Sequence, residues 1–228
     1  MKAIAKPVTE VSLLFSAARL AIASGAAVLL LLASLHVLSP EFDPSWRMVS
    51  EYANGQYAWV LSLMFVAWAI SSWALAAAIW SQVRTRAGRI GLLFLIAAGA
   101  GEVMASVFDV NHSLHGLAAL IGIGSLPVAA MLVSVSLSRT LEWSAARRAL
   151  LWTANLTWIS LLLMLASFVL LMVTYTQAGG DMSAGAVSAL PPGVIALVGW
   201  ANRFLIVAYC IWVLTVARQA LQLHRQEA

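Results

Sequence analysis

Six apolar stretches occupy most of this 228-residue chain, and each is about long enough to cross a membrane. A helix needs roughly 20 predominantly apolar residues to cross the hydrocarbon core of a bilayer. The stretches lie near residues 17–38, 58–80, 90–108, 115–138, 149–176 and 193–217. Because only short segments connect them, we predict one integral membrane domain over residues 1–228, folded as an all-α bundle of six transmembrane helices.

The overall composition agrees with a lipid environment. Hydrophobic residues make up 62% of the chain and charged residues only 10%, whereas soluble domains carry roughly 25% charged residues. A water-soluble domain of this length could not bury so much apolar surface. The sequence also lacks a Gly-rich phosphate loop, a nucleophile elbow and a CxxC motif, so no familiar catalytic signature indicates an activity.

Basic residues fall on alternate connecting segments. They are Lys2, Lys6, Arg19, Arg84, Arg86, Arg89, Arg139, Arg147, Arg148, Arg218 and Arg225. The other set of connecting segments holds Arg47 alone. Short loops rich in Lys and Arg remain on the cytoplasmic side, so we expect both termini in the cytoplasm. The net charge of +4 then indicates contact with anionic membrane lipids and not with nucleic acid.

The first outer loop carries helix-terminating signals. Asp43 is a good N-cap, Pro44 suits a first helical turn, and Gly55 suits a stop. Between them the apolar residues recur at helical spacing. We predict a short interfacial helix over residues 44–53 that lies on the membrane surface. The alternative is a helix that only connects two spans.

Two ionisable residues, Glu102 and Arg203, lie inside predicted spans. A charge in the bilayer costs a few kcal/mol, roughly, unless it is paired or lines a wet cavity. Counting from the outer ends of their helices at about 1.5 Å per residue places Glu102 about 9 Å deep and Arg203 about 15 Å deep, an offset that an Arg side chain can span. We therefore expect them to be neighbours in the bundle interior, either as a static ion pair that fixes helix register or as part of a ligand or ion pathway.

These residues suggest an outward-facing pocket built by the first-loop helix and spans one, three, four and six. Its expected ligand-binding residues are Glu51, Tyr52, Glu102, Trp200, Asn202 and Arg203. Arg203 would neutralise an anionic group, Glu102 would orient Arg203, and Trp200 would pack against an apolar part. The ligand would be a lipid, a small amphiphile or a membrane-protein partner, the last including a second copy of the chain.

Histidines near the same face leave other functions open. The candidate metal ligands are His36, Asp109, His112 and His115. They could hold zinc if their helices meet, with Glu51 or Glu102 as general base of a metal-dependent lipid hydrolase. His36 and His115 could also ligate a single haem. A proton or solute transporter through Glu102 is a further alternative.

The first loop resembles a known family. The resemblance rests on the motifs His36-x-x-Ser39-Pro40-Glu41-x-Asp43-Pro44-Ser45-Trp46, Ser50-Glu51-Tyr52-Ala53-x-Gly55, Gly88-Arg89-x-Gly91-Leu92, Phe108-Asp109 and Leu114-His115-Gly116. They are similar to those of the family catalogued as domain of unknown function 998. The resemblance implies a bacterial or archaeal membrane protein of about six spans, hence a place in the cytoplasmic (inner) membrane. It implies no established activity.

Overall fold

The computed structural model describes residues 8–181, 187 and 189–227, and these residues form helices and loops without a strand. The six long helices are α1 (Val8–Leu38), α2 (Ala58–Ile79), α3 (Arg86–Val107), α4 (His115–Leu137), α5 (Arg147–Gln177) and α6 (Val198–Glu227). Short 3₁₀ helices occupy Val49–Asn54 and Leu141–Ala146. The basic residues Lys2 and Lys6 lie outside the described residues.

All six helices are long and apolar enough to cross a membrane, so the prediction of an all-helical chain with six spans is confirmed. Three boundaries differ by five residues or more. Helix α1 begins at Val8 and not near residue 17. Helix α6 ends at Glu227 and not near residue 217. Helix α6 begins at Val198 and not near residue 193, because residues 194–197 run without helical structure. In that segment the N–H of Ile195 donates to Thr174 Oγ1 at the end of α5 (3.1 Å).

The helices pack in chain order around the bundle, and α6 returns to contact α1. Short connections place consecutive helices side by side, as expected for an up-and-down bundle. Helix α6 also contacts α2 and α4. Its buried aromatic side chains bond across the interior: Tyr209 Oη donates to the carbonyl of Ile123 (2.8 Å) and Trp212 Nε1 donates to Ser134 Oγ (2.9 Å).

Helices α3 and α4 approach each other at a pair of glycines. A Cβ atom on Gly101 would collide with the backbone nitrogen of Gly122 and would lie 2.7 Å from its Cα atom. Small residues allow this close approach of two helix backbones in a membrane. Glu102 follows Gly101 directly, so this contact determines where α3 presents that carboxyl group.

The first loop does not form the predicted helix over residues 44–53. A turn over residues 44–46 comes first, closed by a hydrogen bond from the N–H of Arg47 to the carbonyl of Asp43 (3.0 Å). The helical part is the 3₁₀ helix Val49–Asn54. The predicted stop at Gly55 is confirmed. A position on the membrane surface stays a prediction, since the structure contains no bilayer.

Candidate functional site

Arg203 lies buried at the end of the bundle that carries the first loop, with 4% of its surface exposed. Its Nε donates to His36 Nε2 (2.7 Å) and one Nη to the phenolic oxygen of Tyr52 (3.0 Å). The other Nη donates to the carbonyls of Arg47 (2.7 Å) and Gly199 (3.0 Å). These five residues are called the Arg203 cluster below. Four of the five guanidinium N–H donors are thus used within the protein.

The hydrogen bonds of His36 assign its tautomer. Its Nδ1 lies 2.8 Å from the carbonyl of Leu32, and a carbonyl oxygen can only accept a hydrogen bond. Nδ1 therefore carries the proton and Nε2 accepts from Arg203, which describes a neutral imidazole. Trp200 stacks on the same ring with centroids 6.4 Å apart. His36 therefore has a structural role, because its contacts connect α1 to α6.

The first loop is attached to the start of α6 through its backbone. The N–H of Gly199 donates to the carbonyl of Ser45 (3.0 Å) and the N–H of Val49 donates to Asn202 Oδ1 (2.9 Å). A Cβ atom on Gly199 would collide with the carbonyl oxygen of Pro44. These bonds explain why a continuous helix over residues 44–53 does not form: the backbone groups that would close it bond to α6.

Glu102 and Arg203 do not pair, and the expected ion pair is wrong. Arg203 bonds to the first loop and to His36, while Glu102 turns to α2, where Ser72 Oγ donates to its Oε2 at 3.0 Å. The expectation came from depth in the membrane alone. Depth does not specify how far each helix is rotated about its axis, and the rotation of α3 points Glu102 away from the Arg203 cluster.

The carboxyl group of Glu102 is only partly satisfied. It is 4% exposed, and its Oε1 atom finds no hydrogen-bond partner among residues 8–181, 187 and 189–227. More than nine in ten buried polar groups in proteins do have a partner. Trp68 Nε1, Ser39 Oγ and Ser81 Oγ also lack a partner within the described residues, and such atoms can be completed by a ligand, an ion or a water.

Glu102 lines a cavity of about 80 Å³ between the first 3₁₀ helix and helices α2, α3, α4 and α6. We call it the Glu102 cavity. The predicted pocket used the same elements except that span one took the place of α2. The wall is mostly apolar, and includes Phe65 and Trp68 from α2 and Leu205 and Ile206 from α6. Glu102 contributes a carboxyl group to this apolar enclosure.

A second cavity of about 130 Å³ adjoins the first, and we call it the Asp109 cavity. The two share Ser50, Phe65, Ala105 and His115 as lining residues. The Asp109 cavity lies nearer the loop between α3 and α4, and its wall is more polar, with hydroxyl groups and the exposed carboxylate of Asp109. Both cavities lie at the end of the bundle that carries the first loop.

The six expected ligand-binding residues divide into two groups. Glu102 and Asn202 line the Glu102 cavity. Tyr52 and Arg203 belong to the Arg203 cluster, and Trp200 packs on its His36 ring. Glu51 pairs with Arg47 at 2.6 Å and accepts from the N–H of Met48 at 2.8 Å. The second group therefore holds the first loop in place over the cavity.

Asp43 likewise has a structural partner. The N–H of Ser45 donates to its Oδ1 at 2.9 Å. This hydrogen bond is the main reason why the pKa of Asp43 is lowered, and the charge of Arg203 adds a smaller contribution in the same direction. An acceptor-only carboxylate suits this tight turn.

The candidate metal ligands do not come together in the part of the chain that the structure describes, which holds no group of three or more His, Cys, Asp or Glu suited to a metal ion. His36 bonds to Arg203. His112 Nδ1 accepts from the N–H of Leu114 (3.1 Å), and Asp109 Oδ1 accepts from that of Asn111 (2.9 Å). His115 lines both cavities. Zinc and haem binding stay untested predictions.

The sequence interpretation missed the contribution of α2. Ser72 is fully buried and holds one oxygen of Glu102, and Phe65 and Trp68 form one wall of the cavity. A possible signal was the pair Ser71 and Ser72 within an otherwise apolar stretch. Hydroxyl groups at such a position usually face another helix, since lipid offers no hydrogen bond.

Six apolar helices with polar groups buried between them define an integral membrane protein. Comparison with protein families makes the assignment more specific. The chain belongs to the family described as protein of unknown function (DUF998), whose sequence model matches residues 21–219. No curated protein and no solved structure matches the chain.

Proposed function

We propose that this protein binds a small amphiphile in the Glu102 cavity, with the adjoining part of the ligand in the Asp109 cavity. The observation that carries the proposal is a buried carboxyl oxygen, Glu102 Oε1, left without a partner by the described residues at the wall of a mostly apolar cavity. A ligand with an apolar body and one polar group satisfies both features of that wall.

The apolar wall supplies the binding free energy. Removing a CH₂ group from water contributes roughly 0.8 kcal/mol, and side chains such as Phe65, Trp68 and Leu205 offer the contacts. An apolar cavity of roughly 150 Å³ holds one benzene molecule. The Glu102 cavity, at about 80 Å³, holds a smaller group, so the rest of a longer ligand lies in the Asp109 cavity.

The charge pattern gives the site an orientation in this proposal. Basic residues lie at the opposite end of the bundle, as with Arg84, Arg86 and Arg139. Short basic loops stay cytoplasmic, so both termini face the cytoplasm and the first loop faces outward. For a prokaryotic protein this is the outer side of the cytoplasmic (inner) membrane, and the ligand enters from the outer leaflet or from the space outside it.

The Arg203 cluster supports binding indirectly. Its guanidinium group already donates four hydrogen bonds, so it is poorly suited to hold a ligand anion. Instead it positions the first loop, whose residues Met48, Val49 and Ser50 line the Glu102 cavity. In this proposal Arg203 is a positioning residue and Glu102 contacts the ligand.

The test is to fill the cavities from α3. Ala105 lines both of them, whereas Ala100 is exposed on the same helix. The purified protein in phosphatidylcholine nanodiscs is heated with four probes that each carry an unbranched six-carbon chain: n-hexylammonium, hexyltrimethylammonium, 1-hexanol and hexanoate. We expect at least one probe to raise the unfolding midpoint, as any ligand of the folded state does.

Ala105→Leu should abolish that rise, and the matched Ala100→Leu should retain it. The proposal is overturned if none of the four probes shifts the wild-type midpoint, or if the shift survives unchanged in Ala105→Leu.

A further inference from the structure

We propose that the Glu102 cavity selects ligands that carry a protonated primary amine on a short apolar chain, with the ammonium group bonded to Glu102 and His115. This inference rests on the proposed function and names the chemical class of its ligand. It follows from which hydrogen-bonding atoms the cavity wall leaves open, and from the charges that line it.

The wall leaves two acceptors open and also one donor, because the indole Nε1 of Trp68 is buried without a hydrogen-bond partner among the described residues. Glu102 Oε2 is taken by Ser72, whereas Oε1 lacks a partner within the described residues. His115 Nδ1 lies 2.9 Å from the carbonyl of Phe108, so this nitrogen carries a proton, and the other ring nitrogen, Nε2, is an acceptor when the ring is neutral. A ligand that completes these two atoms must bring N–H or O–H donors.

The amide of Asn202, which could otherwise bond a ligand, already has partners. Its Oδ1 accepts from the N–H of Val49 (2.9 Å), and its Nδ2 lies 3.5 Å from Met164 Sδ. The hydroxyl group of Ser50, also on the wall, can donate or accept. An ammonium group, which has three donors and no acceptor, can bond the two open acceptors and the adaptable hydroxyl, while the N–H of Trp68 stays without a partner.

The charges of the wall favour a cation over an anion. Glu102 is the acidic side chain in the Glu102 cavity, and no Lys or Arg is among the described residues that line it. A buried carboxylate without a counter-charge is costly, and pairing with a cation offsets that cost. Hydrogen bonds between ionised groups are also about twice as strong as neutral ones.

The adjoining cavity carries the same sign. Asp109 lines this cavity and is exposed, so it attracts cations toward this end of the bundle. A carboxylate or phosphate ligand would meet acidic side chains at both positions. A neutral alcohol could donate to one acceptor and accept from Trp68 Nε1, but it brings no charge to pair with Glu102.

The four probes separate these possibilities in the wild-type protein. We expect n-hexylammonium to bind about tenfold more tightly than 1-hexanol, equivalent to about 1.4 kcal/mol. Hexyltrimethylammonium, which has the charge without N–H donors, should bind more weakly than n-hexylammonium, and hexanoate should bind least. Dissociation constants are obtained from the dependence of the unfolding midpoint on probe concentration.

Glu102→Gln removes the charge while keeping the shape of the side chain. The preference for n-hexylammonium over 1-hexanol should fall to less than about threefold in this variant, because the amide carries no charge to pair with the ammonium group. Asp181→Asn, on the loop after α5 and outside both cavities, is the matched control for loss of one acidic charge and should keep the preference.

The inference is overturned if 1-hexanol binds the wild-type protein as tightly as n-hexylammonium, or if the ammonium preference persists in Glu102→Gln. The first comparison needs no variant and stands even if Glu102→Gln fails to fold. Binding of 1-hexanol without an ammonium preference would leave the amphiphile site intact and remove only its ligand class. Failure of all four probes would remove both.

Discussion

Arg203 and Glu102 are equally buried, each with 4% of its surface exposed, yet the protein treats them in opposite ways. Arg203 donates to four acceptors drawn from α1, the first loop and α6. Glu102 lines a cavity and accepts one hydrogen bond, from Ser72, while its other oxygen has no partner among the described residues. A buried charged group whose donors are nearly all bonded connects parts of the structure, whereas one with an unpartnered atom can bond a ligand.

The comparison also shows why the two sites need one another. The Arg203 cluster holds the first loop against α6, and Asn202, the residue before Arg203, bonds to the loop at Val49. Val49 and Asn202 in turn line the Glu102 cavity. The Arg203 cluster therefore holds in place the loop residues that line the Glu102 cavity. Variants should separate the two roles, with a large effect on stability at the first site and a large effect on binding at the second.

The largest expected effect follows from Arg203→Met. This change leaves His36 Nε2, the Tyr52 hydroxyl and two carbonyls without their donor, and each unsatisfied buried group costs roughly 1–3 kcal/mol. We expect the free energy of unfolding to fall by at least about 3 kcal/mol, measured by thermal unfolding in nanodiscs. Arg218→Met, at an exposed position on the same helix, should change it little. Equal stabilities for both variants would refute the structural role.

Gly199→Ala should have the next largest effect. The new methyl group would meet the carbonyl oxygens of Pro44 and Arg47, the latter at 2.7 Å, and a backbone cannot yield as a flexible side chain can. We expect a loss of roughly 1–3 kcal/mol, typical of overpacking. Gly124→Ala is the control, because a Cβ atom there meets nothing within 4 Å of the described structure. Faster amide hydrogen exchange confined to residues 44–54 would locate the damage in the first loop.

Tyr52→Phe removes one acceptor of Arg203 and keeps the aromatic ring, which lies 5.5 Å from the guanidinium carbon. A hydrogen bond to a charged group contributes roughly 1.5–3 kcal/mol, and we expect the lower end of that range because three other bonds remain. The loss in free energy of unfolding is measured by chemical denaturation and compared with that of Tyr57→Phe. The hydroxyl group of Tyr57 makes no hydrogen bond to the described residues. A loss as large as that of Arg203→Met would show that the cluster fails as a unit.

Glu102→Gln should have the smallest effect on stability. Its amide can still accept from Ser72, and removing an uncompensated buried charge is often neutral or stabilising. We expect the free energy of unfolding to change by less than about 1 kcal/mol, while binding of n-hexylammonium weakens. A destabilisation comparable to that of Arg203→Met would place Glu102 among the architectural residues and end the contrast between the two sites.

Much of the fold could be predicted from the sequence because hydropathy depends on composition along the chain. The six spans were correct, and so was the stop at Gly55. The helix over residues 44–53 was wrong because its signals, such as Asp43 before Pro44, are local. They contain no information about Gly199 and Asn202, which bond to the loop from more than 150 positions away.

The candidate site was predicted in part for the same reason. Glu102 and Arg203 can be singled out without any structure because they are ionisable residues within apolar stretches. A charge in the bilayer is costly unless it is paired or lines a wet cavity. Their partners could not be predicted. Ser72 for Glu102 and His36 for Arg203 lie on helices whose rotation the apolar pattern leaves open, because nearly every face of these helices is apolar.

The amino-acid sequence by itself determined that the chain crosses a membrane six times and that two ionisable side chains lie within the spans. Both are consequences of transfer free energies summed along the chain, which need no knowledge of packing. Only the tertiary structure decided that Arg203 has four of its five N–H donors bonded and that Glu102 has one oxygen without a partner among the described residues. Hydrogen bonds act over about 3 Å, so they depend on helix rotation, on the close approach of Gly199 and Gly101, and on the path of the first loop.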